Sequence, residues 1–468
     1  MDSPVAPAPP ISPAILSILL AVALGFIYVP SVGHGFVKDD FVWIARSTVQ
    51  LSADLAQFFR APTGFFRPLV SASFAVNRLL FGIDPLGYGL TNLALLLACA
   101  WTIGLLARAL SLPPQAAVFG AFVWAFNFHG INAAVLWISG RTALLLTLCA
   151  VVGAVDFVKG RYVRSATWLF LAMLSKEEAV ALPVMLGLWS LLTGRRADAV
   201  KSPRQVIASW AALACPLLAY FPLRLRSGAF TPGSAPSYYQ LSVSPARLLA
   251  NLAPYADRSM TFAVALLLMV AVVCRPKRLR LHPEERSAIV FGILWLAGGF
   301  ALTIFLPVRS SLYVCFPAVG VAIAAAALTT AVWRDSSSRR QAVTLIACAI
   351  LPFVLWPVYH ARNRRSVSEA ELSRTVLGQL ADVARSMPQK PLQIIVRDDR
   401  QARSTLDYAF GTLMQEAIDL TVGSRVRVWI EPPPTGAELA GLPPLPSTPD
   451  FVFRLAHGRL ERVGQRRP

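Results

Sequence analysis

The sequence predicts a polytopic α-helical membrane protein that ends in a small soluble α/β domain. Three observations lead there. The 468 residues are 55% hydrophobic and only 15% charged, with a mean hydropathy of +0.56. Several apolar runs approach the roughly 20 residues that carry a helix across about 30 Å of hydrocarbon. From about residue 361 the pattern changes to amphipathic and alternating segments.

The spans come first. "ISPAILSILLAVALGFIYVP", "LTNLALLLACAWTIGLLA", "SMTFAVALLLMVAVVC", "AIVFGILWLAGGFALTIFL" and "LYVCFPAVGVAIAAAALTTAVW" read as membrane helices. The first is long for a signal-peptide core, and its leader "MDSPVAPAPP" carries no Lys or Arg, so it reads as an uncleaved helix. The net charge of +19 comes mostly from arginine. No recognition motif accompanies it, so basic loops that orient helices and meet anionic headgroups explain it better than nucleic acid does. All six cysteines lie in apolar runs and read as small core residues, neither a disulfide framework nor a zinc site.

Charge then sets the orientation. "DFVKGRYVR", "GRRADAVKSPR", "RPKRLRLHPEER" and "RDSSSRR" are dense in Lys and Arg, and the positive-inside rule puts them in the cytoplasm. Two apolar runs separate each consecutive pair. Working backward places the stretch from 31 to about 87 outside, provided that "RPLVSASFAVNRLLFG" (67–82) lies along the outer interface instead of crossing. The expectation is about eleven crossings with an outer C-terminus. Residues 1–360 form the membrane part and 361–468 the soluble domain. In the latter, "ELSRTVLGQLADVARSM" and "LDYAFGTLMQEAIDL" read as helices, "PLQIIVRDD" and "RVRVWIEPP" as strands, and "FVFRLAHGRLERV" as a hairpin about His457-Gly458.

This topology gathers Asp39, Asp40, Arg67, His129, Arg141, Lys176, Glu177 and Arg309 at or near one membrane face. Six of them have a plain structural reading: Asp40 as a cap on the following turn, Arg141 and Arg309 snorkelling to headgroups, His129 as a loop residue, Lys176-Glu177 as a local ion pair. Yet a charge in a membrane helix costs about 2.5–3.5 kcal/mol on insertion scales, so it usually lines a cavity or has a partner. Convergence of acids and cations on one face points to a site. The combination suits one chemistry, in which Arg and Lys can hold a lipid-linked phosphate and a carboxylate can take a proton from an acceptor hydroxyl. Cations on the leaving phosphate stabilise the developing charge.

Five stretches in order carry a resemblance: "FVKDDFVWI", "FFRPLVSASFAVNRLLFGIDPLGYGLTN", "FHGINAAVLWISGRTALLL", "LAMLSKEEAVALP" and "LPVRSSLYVCFP". Over roughly residues 15–320 the chain resembles the GT-C glycosyltransferases, polytopic enzymes that use polyprenyl-phosphate sugars, and within them the protein O-mannosyltransferase-like group. The resemblance implies Asp39 at the catalytic acidic position of the first outer loop, as general base, with Asp40 positioning the acceptor or a metal. It implies Arg67, Lys176, Arg141 and Arg309 at the donor phosphate, with Glu177, His129 and Tyr313 also at the site. It further implies transfer with inversion and no nucleotide cofactor. A divalent cation, magnesium or manganese, is left open and would fall to Asp39 and Asp40. "FHGIN" lacks the proline and glutamate of the relatives with tetratricopeptide repeats, and no such repeats follow the membrane part.

The expected partners are a polyprenyl-phosphate sugar donor, a protein, glycan or lipid acceptor, and membrane lipids, with no nucleic acid. The expected location is a bacterial inner membrane, with the site and tail facing the periplasm. The alternative is a transporter or lipid flippase whose charges line a substrate path. Against it, no internal repeat is visible, and the charges cluster at one face instead of the midplane.

Overall fold

The computed structural model describes residues 12–47, 55–61, 64–194, 202–231, 233–276, 278–399, 405–434 and 443–464. The basic cluster at 194–204 lies largely outside them. In chain order the helices begin with α1 (Pro13–Tyr28), the short α2 (Asp39–Arg46), α3 (Pro68–Phe81), α4 (Pro85–Ala109), α5 (Pro114–Ala125), α6 (Ile131–Leu136) and α7 (Arg141–Val158). They continue with α8 (Tyr162–Met173), α9 (Leu182–Thr193), α10 (Pro203–Arg226), α11 (Pro245–Cys274), α12 (Pro283–Phe300), α13 (Ala318–Trp333), α14 (Ser338–Val354) and α15 (Trp356–Ser386). Proline opens many of them, where its missing N–H is an orphan in any case.

The protein is a multi-pass membrane protein by its helices. Among the described residues, five helices are long and apolar enough to cross a membrane, or six if α14 and α15, bent by 40° at their junction, count as one span. The expected eleven also include apolar runs that fold as shorter helices, which this criterion leaves out. α8 and α9 have 12 residues each, about 18 Å at 1.5 Å per residue, and meet at the "SKEE" turn. α3 has 14 residues, about 21 Å, too short to cross upright and of a length for the interface. Close packing of α12 on α13 depends on Gly292 and Gly320: a Cβ at either would meet the other's carbonyl oxygen within 2.4 Å. Five cysteines are buried as expected; Cys215, on α10, is exposed.

β1 (Leu392–Arg397) follows α15, then α16 (Thr405–Ala409), α17 (Met414–Thr421), β2 (Val426–Glu431), β3 (Phe451–Ala456) and β4 (Arg459–Gly464). Among the described residues the strands make one sheet of order β2-β1-β3-β4, parallel except for the β3–β4 hairpin. The hairpin turns at His457 (φ 50°) and Gly458 (φ 76°), two successive left-handed residues as a two-residue turn requires.

Residue 361 is not a break in the chain. α15 runs straight through it, and its two halves do different work. The first half is tied to the helical body: the Tyr359 hydroxyl donates to the Phe126 carbonyl at 2.6 Å, and Asn363 Nδ2 to that of Ile27 at 2.8 Å. The second half packs on the sheet, where Gln379 exchanges hydrogen bonds with the Leu460 backbone. The C-terminal sheet shares one core with the loop helices. Phe41 and Trp43 of α2 and Val70 and Phe74 of α3 pack in the same cluster as Ile394, Phe410 and Phe453. The first loop and the tail therefore lie on the same side of the protein.

Candidate functional site

The loop after α1 turns sharply into α2. Lys38 sits at φ 49°, a left-handed backbone unusual for lysine, held there as its N–H donates to the Ala409 carbonyl at 2.9 Å. That turn fixes the two acids in opposite environments. Asp40 is 1% exposed. Its Oδ2 accepts the Val37 N–H at 2.9 Å, and its Oδ1 accepts the Ser139 N–H at 2.7 Å and the Ser139 hydroxyl. Burial pushes its carboxyl up to about 7, against the pull of those donors. Ser139 can reach it because Gly140 turns tightly over α6: a Cβ there would lie 2.7 Å from the carbonyl oxygens of Ala133 and Ala134. Asp40 is thus a tie between loops.

Asp39, one residue earlier, is exposed. Arg67, Tyr238 and Tyr239 lie within electrostatic reach of it and bound the recess it faces. The enclosure raises its pKa, while Arg67 and Lys38 pull the other way. Arg67 precedes α3, and its Nε and Nη2 donate to Glu177 Oε2 at 3.2 and 2.9 Å. Burial opposes the charge of Glu177, but Arg67, reinforced by Arg224 at 3.7 Å, holds its carboxyl below the usual range. Lys176 is paired with Glu178 at 2.6 Å and lies over the Tyr313 ring at 4.7 Å. Arg309 is exposed; its Nε donates to Asn251 Oδ1 at 2.8 Å, and the preceding Val308 N–H donates to the Tyr238 carbonyl.

An aromatic shelf joins these groups. Phe65 lies under the Arg67 guanidinium at 4.3 Å, Tyr239 packs edge-on to Phe65 at 5.2 Å, and Tyr238 lies 4.7 Å from Tyr239. Both tyrosines lie within electrostatic reach of Asp39, which with burial raises their pKa, that of Tyr239 to about 12. Backbone bonds pin their loop on both sides: Phe230 N–H to the Gly64 carbonyl at 2.8 Å, and Val308 N–H to the Tyr238 carbonyl at 3.3 Å. Burial, with Tyr239 and Glu178 nearby, also raises the Tyr313 phenol. The Asp39–Arg67–Glu177 group and the Lys176–Tyr313 pair therefore meet around Tyr239.

Two expected members stand elsewhere. Arg141 is fully buried at the start of α7. It donates to Asn92 Oδ1 (3.1 Å), Asn77 Oδ1 (2.5 Å), and the carbonyls of Tyr88 (3.2 Å) and Ser73 (3.4 Å), with its face on Phe74 at 4.3 Å. With its donors engaged inside the helix packing, its geometry does not suit holding a lipid phosphate. His129 packs on Phe128 at 4.7 Å, and its charged neighbours are Arg362, Asp257 and Arg258 instead of the two aspartates. A two-aspartate metal site does not fit the donor set either. Asp40 spends both oxygens on protein donors, and among the described residues no three His, Cys, Asp or Glu gather to hold an ion.

Glu178, Arg224, Tyr238, Tyr239 and Ser139 escaped the sequence reading. The doubled acid of "SKEE" signalled Glu178, and the arginines of "FPLRLRS" mark the end of α10; the tyrosines stood in a loop without periodicity.

No family model matches the chain. The chain resembles the protein O-mannosyltransferase group over part of its length: Protein O-mannosyl-transferase Tmtc1 of Drosophila melanogaster is 29% identical over 192 residues, 36% of this chain and 22% of that protein. The chain thus matches about a fifth of the length of this curated relative. Among solved structures, apo ArnT from Cupriavidus metallidurans aligns with a TM-score of 0.48 at 14% identity, over 89% of this chain and 85% of that one. The same protein bound to undecaprenyl phosphate gives 0.45 at 16% identity, over 89% and 77% of the two chains. The apo oligosaccharyltransferase of Archaeoglobus fulgidus gives 0.46 at 13%, over 88% and 64%.

Proposed function

We propose that this chain is a membrane glycosyltransferase of the GT-C kind, which moves a sugar from a polyprenyl-phosphate donor to an acceptor hydroxyl at the outer face. The observation that carries the reading is the division of labour between neighbouring acids. Asp40 is consumed by Val37 and Ser139, while Asp39 keeps an open carboxylate in a recess beside Arg67.

Asp39 takes the proton of the acceptor hydroxyl, and enclosure brings its pKa toward the range where a base works near neutral pH. The acceptor oxygen attacks the anomeric carbon from one side as the bond from that carbon to the phosphate oxygen breaks on the other, which inverts the centre. The electron pair leaves with the polyprenyl phosphate. Arg309, exposed and next to the Val308–Tyr238 backbone bond, is the cation assigned to that phosphate. Arg67 and Lys176, already paired with Glu177 and Glu178, shape the electrostatics of the recess instead of carrying the phosphate alone. Tyr238 and Tyr239 supply flat faces for the sugar ring.

The test is to incubate purified protein with a panel of polyprenyl-phosphate sugars and follow sugar transfer, or release to water. Turnover with at least one donor that Asp39→Asn abolishes supports the reading. Absence of turnover with every donor, from folded protein, overturns it.

A further inference from the structure

A polar cleft of about 1110 Å3 opens between the middle of α15 and the β3–β4 hairpin. It exceeds the roughly 300–1,000 Å3 of ordinary small-ligand pockets. We propose that this cleft binds the acceptor as an oligosaccharide and presents its end to Asp39; the proposal rests on the glycosyl-transfer reading above.

Its lining argues for a polyhydroxyl ligand. Arg365 is paired with Glu369 at 3.3 Å and Arg454 with Asp399 at 2.5 Å, and Arg454 stands opposite Glu461 across the hairpin. Paired charges leave no strong field to select a polyanion. What remains is a set of planar, oriented donors and acceptors, which suits sugar hydroxyls. A lipid acceptor calls for an apolar groove, and an extended peptide for a bare strand edge with side-chain pockets. Here the wall is charged, and so is the adjoining edge strand β4, with Arg459, Glu461 and Arg462.

The cleft is also wired to the recess. Tyr408 lines it, with Arg365 over its ring at 5.4 Å and Lys38 at 5.6 Å. Lys38 is the residue before Asp39, and its left-handed backbone is held by the bond to Ala409 beside Tyr408. A run of contacts from Tyr408 to Lys38, the residue before Asp39, therefore links the wall of the cleft to the loop that carries the carboxylate. A local backbone strain kept at that junction fits a need to fix the distance between acceptor and base.

Full-length protein in nanodiscs is titrated with a panel of neutral oligosaccharides of three to six units, without donor, and binding is read by saturation-transfer NMR. At least one should bind, and Arg454→Ala and Glu461→Gln should each weaken it tenfold or more; Glu461→Gln keeps the shape of the side chain, so loss of fold is controlled. In parallel, release of the donor sugar to water should be the same in both variants as in wild type. If no oligosaccharide binds, or if both variants bind as wild type does, the cleft is not the acceptor site. Failure of donor turnover in wild type strikes the glycosyltransferase reading instead, and the binding titration still decides the cleft.

Discussion

Asp40 Oδ1 accepts the Ser139 N–H at 2.7 Å, joining two loops that lie 99 residues apart. The bond decides how the pair of acids divides its work, because it removes Asp40 from solvent and leaves Asp39 in the recess. It also has a consequence for stability. Asp40 carries a pKa near 7 in the folded protein against 3.8 for the free side chain, so the folded state binds its proton more tightly. Stability contributed by this group is greatest below about pH 4 and is lost as pH rises toward 7. The thermal midpoint of wild type should fall between pH 5 and pH 8 more steeply than that of Asp40→Asn. Equal slopes would remove the assignment.

For Asp39 the sign concerns activity. Burial raises its pKa against the pull of Arg67 and Lys38, so the basic form accumulates at a higher pH than in a free aspartate. kcat/KM should rise with pH along that limb, and Asp39→Asn should lose both the limb and at least about 10²-fold of the rate, the usual contribution of a positioned base. Donor affinity should change little. A variant with near-normal turnover in folded protein rules out the general base.

Much of this was legible in the sequence, for physical reasons that differ by element. The apolar runs marked the helices of the body because burial in lipid demands continuous hydrophobicity, and "DD" and "SKEE" stood out because charge there is costly. The alternation in "PLQIIVRDD" and "FVFRLAHGRLERV" corresponds to β1 and to the β3–β4 hairpin. What composition could not show is where a run breaks. Residues 114–136 divide into α5 and α6 at Asn127, whose Oδ1 accepts the His129 N–H at 3.2 Å and whose Nδ2 donates to the Arg258 carbonyl at 3.0 Å. Nor could it show that Arg141 turns inward: a buried arginine satisfied by carbonyls and a surface arginine awaiting a phosphate have the same letter.

That inward turn is testable. Arg141 bridges Asn92, Asn77, Tyr88 and Ser73 with a planar fork that lysine cannot copy. Arg141→Lys should lower stability by about 3–5 kcal/mol, as expected when a buried charged hub loses its partners. Donor KM in the protein that survives should stay close to wild type. A selective rise in donor KM with unchanged thermal stability would restore Arg141 to the phosphate site.

The pair Arg67–Glu177 makes the opposite claim, since it stands in the recess. The two side chains are 14% and 21% exposed, so screening is modest. A double-mutant cycle on Arg67→Gln and Glu177→Gln should give a coupling of about 1–3 kcal/mol in thermal stability. Because Arg67 also faces Asp39, Arg67→Gln alone should move the acid limb of the activity profile to higher pH, as it removes a cation that lowers that pKa. No movement of the limb would separate Arg67 from the base.

The contact between Lys38 and Ala409 fixes one further outcome, the side of the membrane on which the chemistry takes place. α2 and the C-terminal sheet share a core, so the first loop and the tail must face the same compartment. The basic clusters argue that this compartment is the outer one. Gly33, exposed at the mouth of the first loop, tolerates a side chain, since a Cβ there meets Leu86 at no less than 3.5 Å. In intact bacterial cells made permeable only at the outer membrane, Gly33→Cys and Glu461→Cys should both react with a membrane-impermeant maleimide, and alkaline phosphatase fused to the C-terminus should be active. Labelling of one site and protection of the other would contradict the shared core. Protection of both, with full labelling after lysis, would keep the core but place the acids in the cytoplasm, where the proposed outer-face transfer cannot occur.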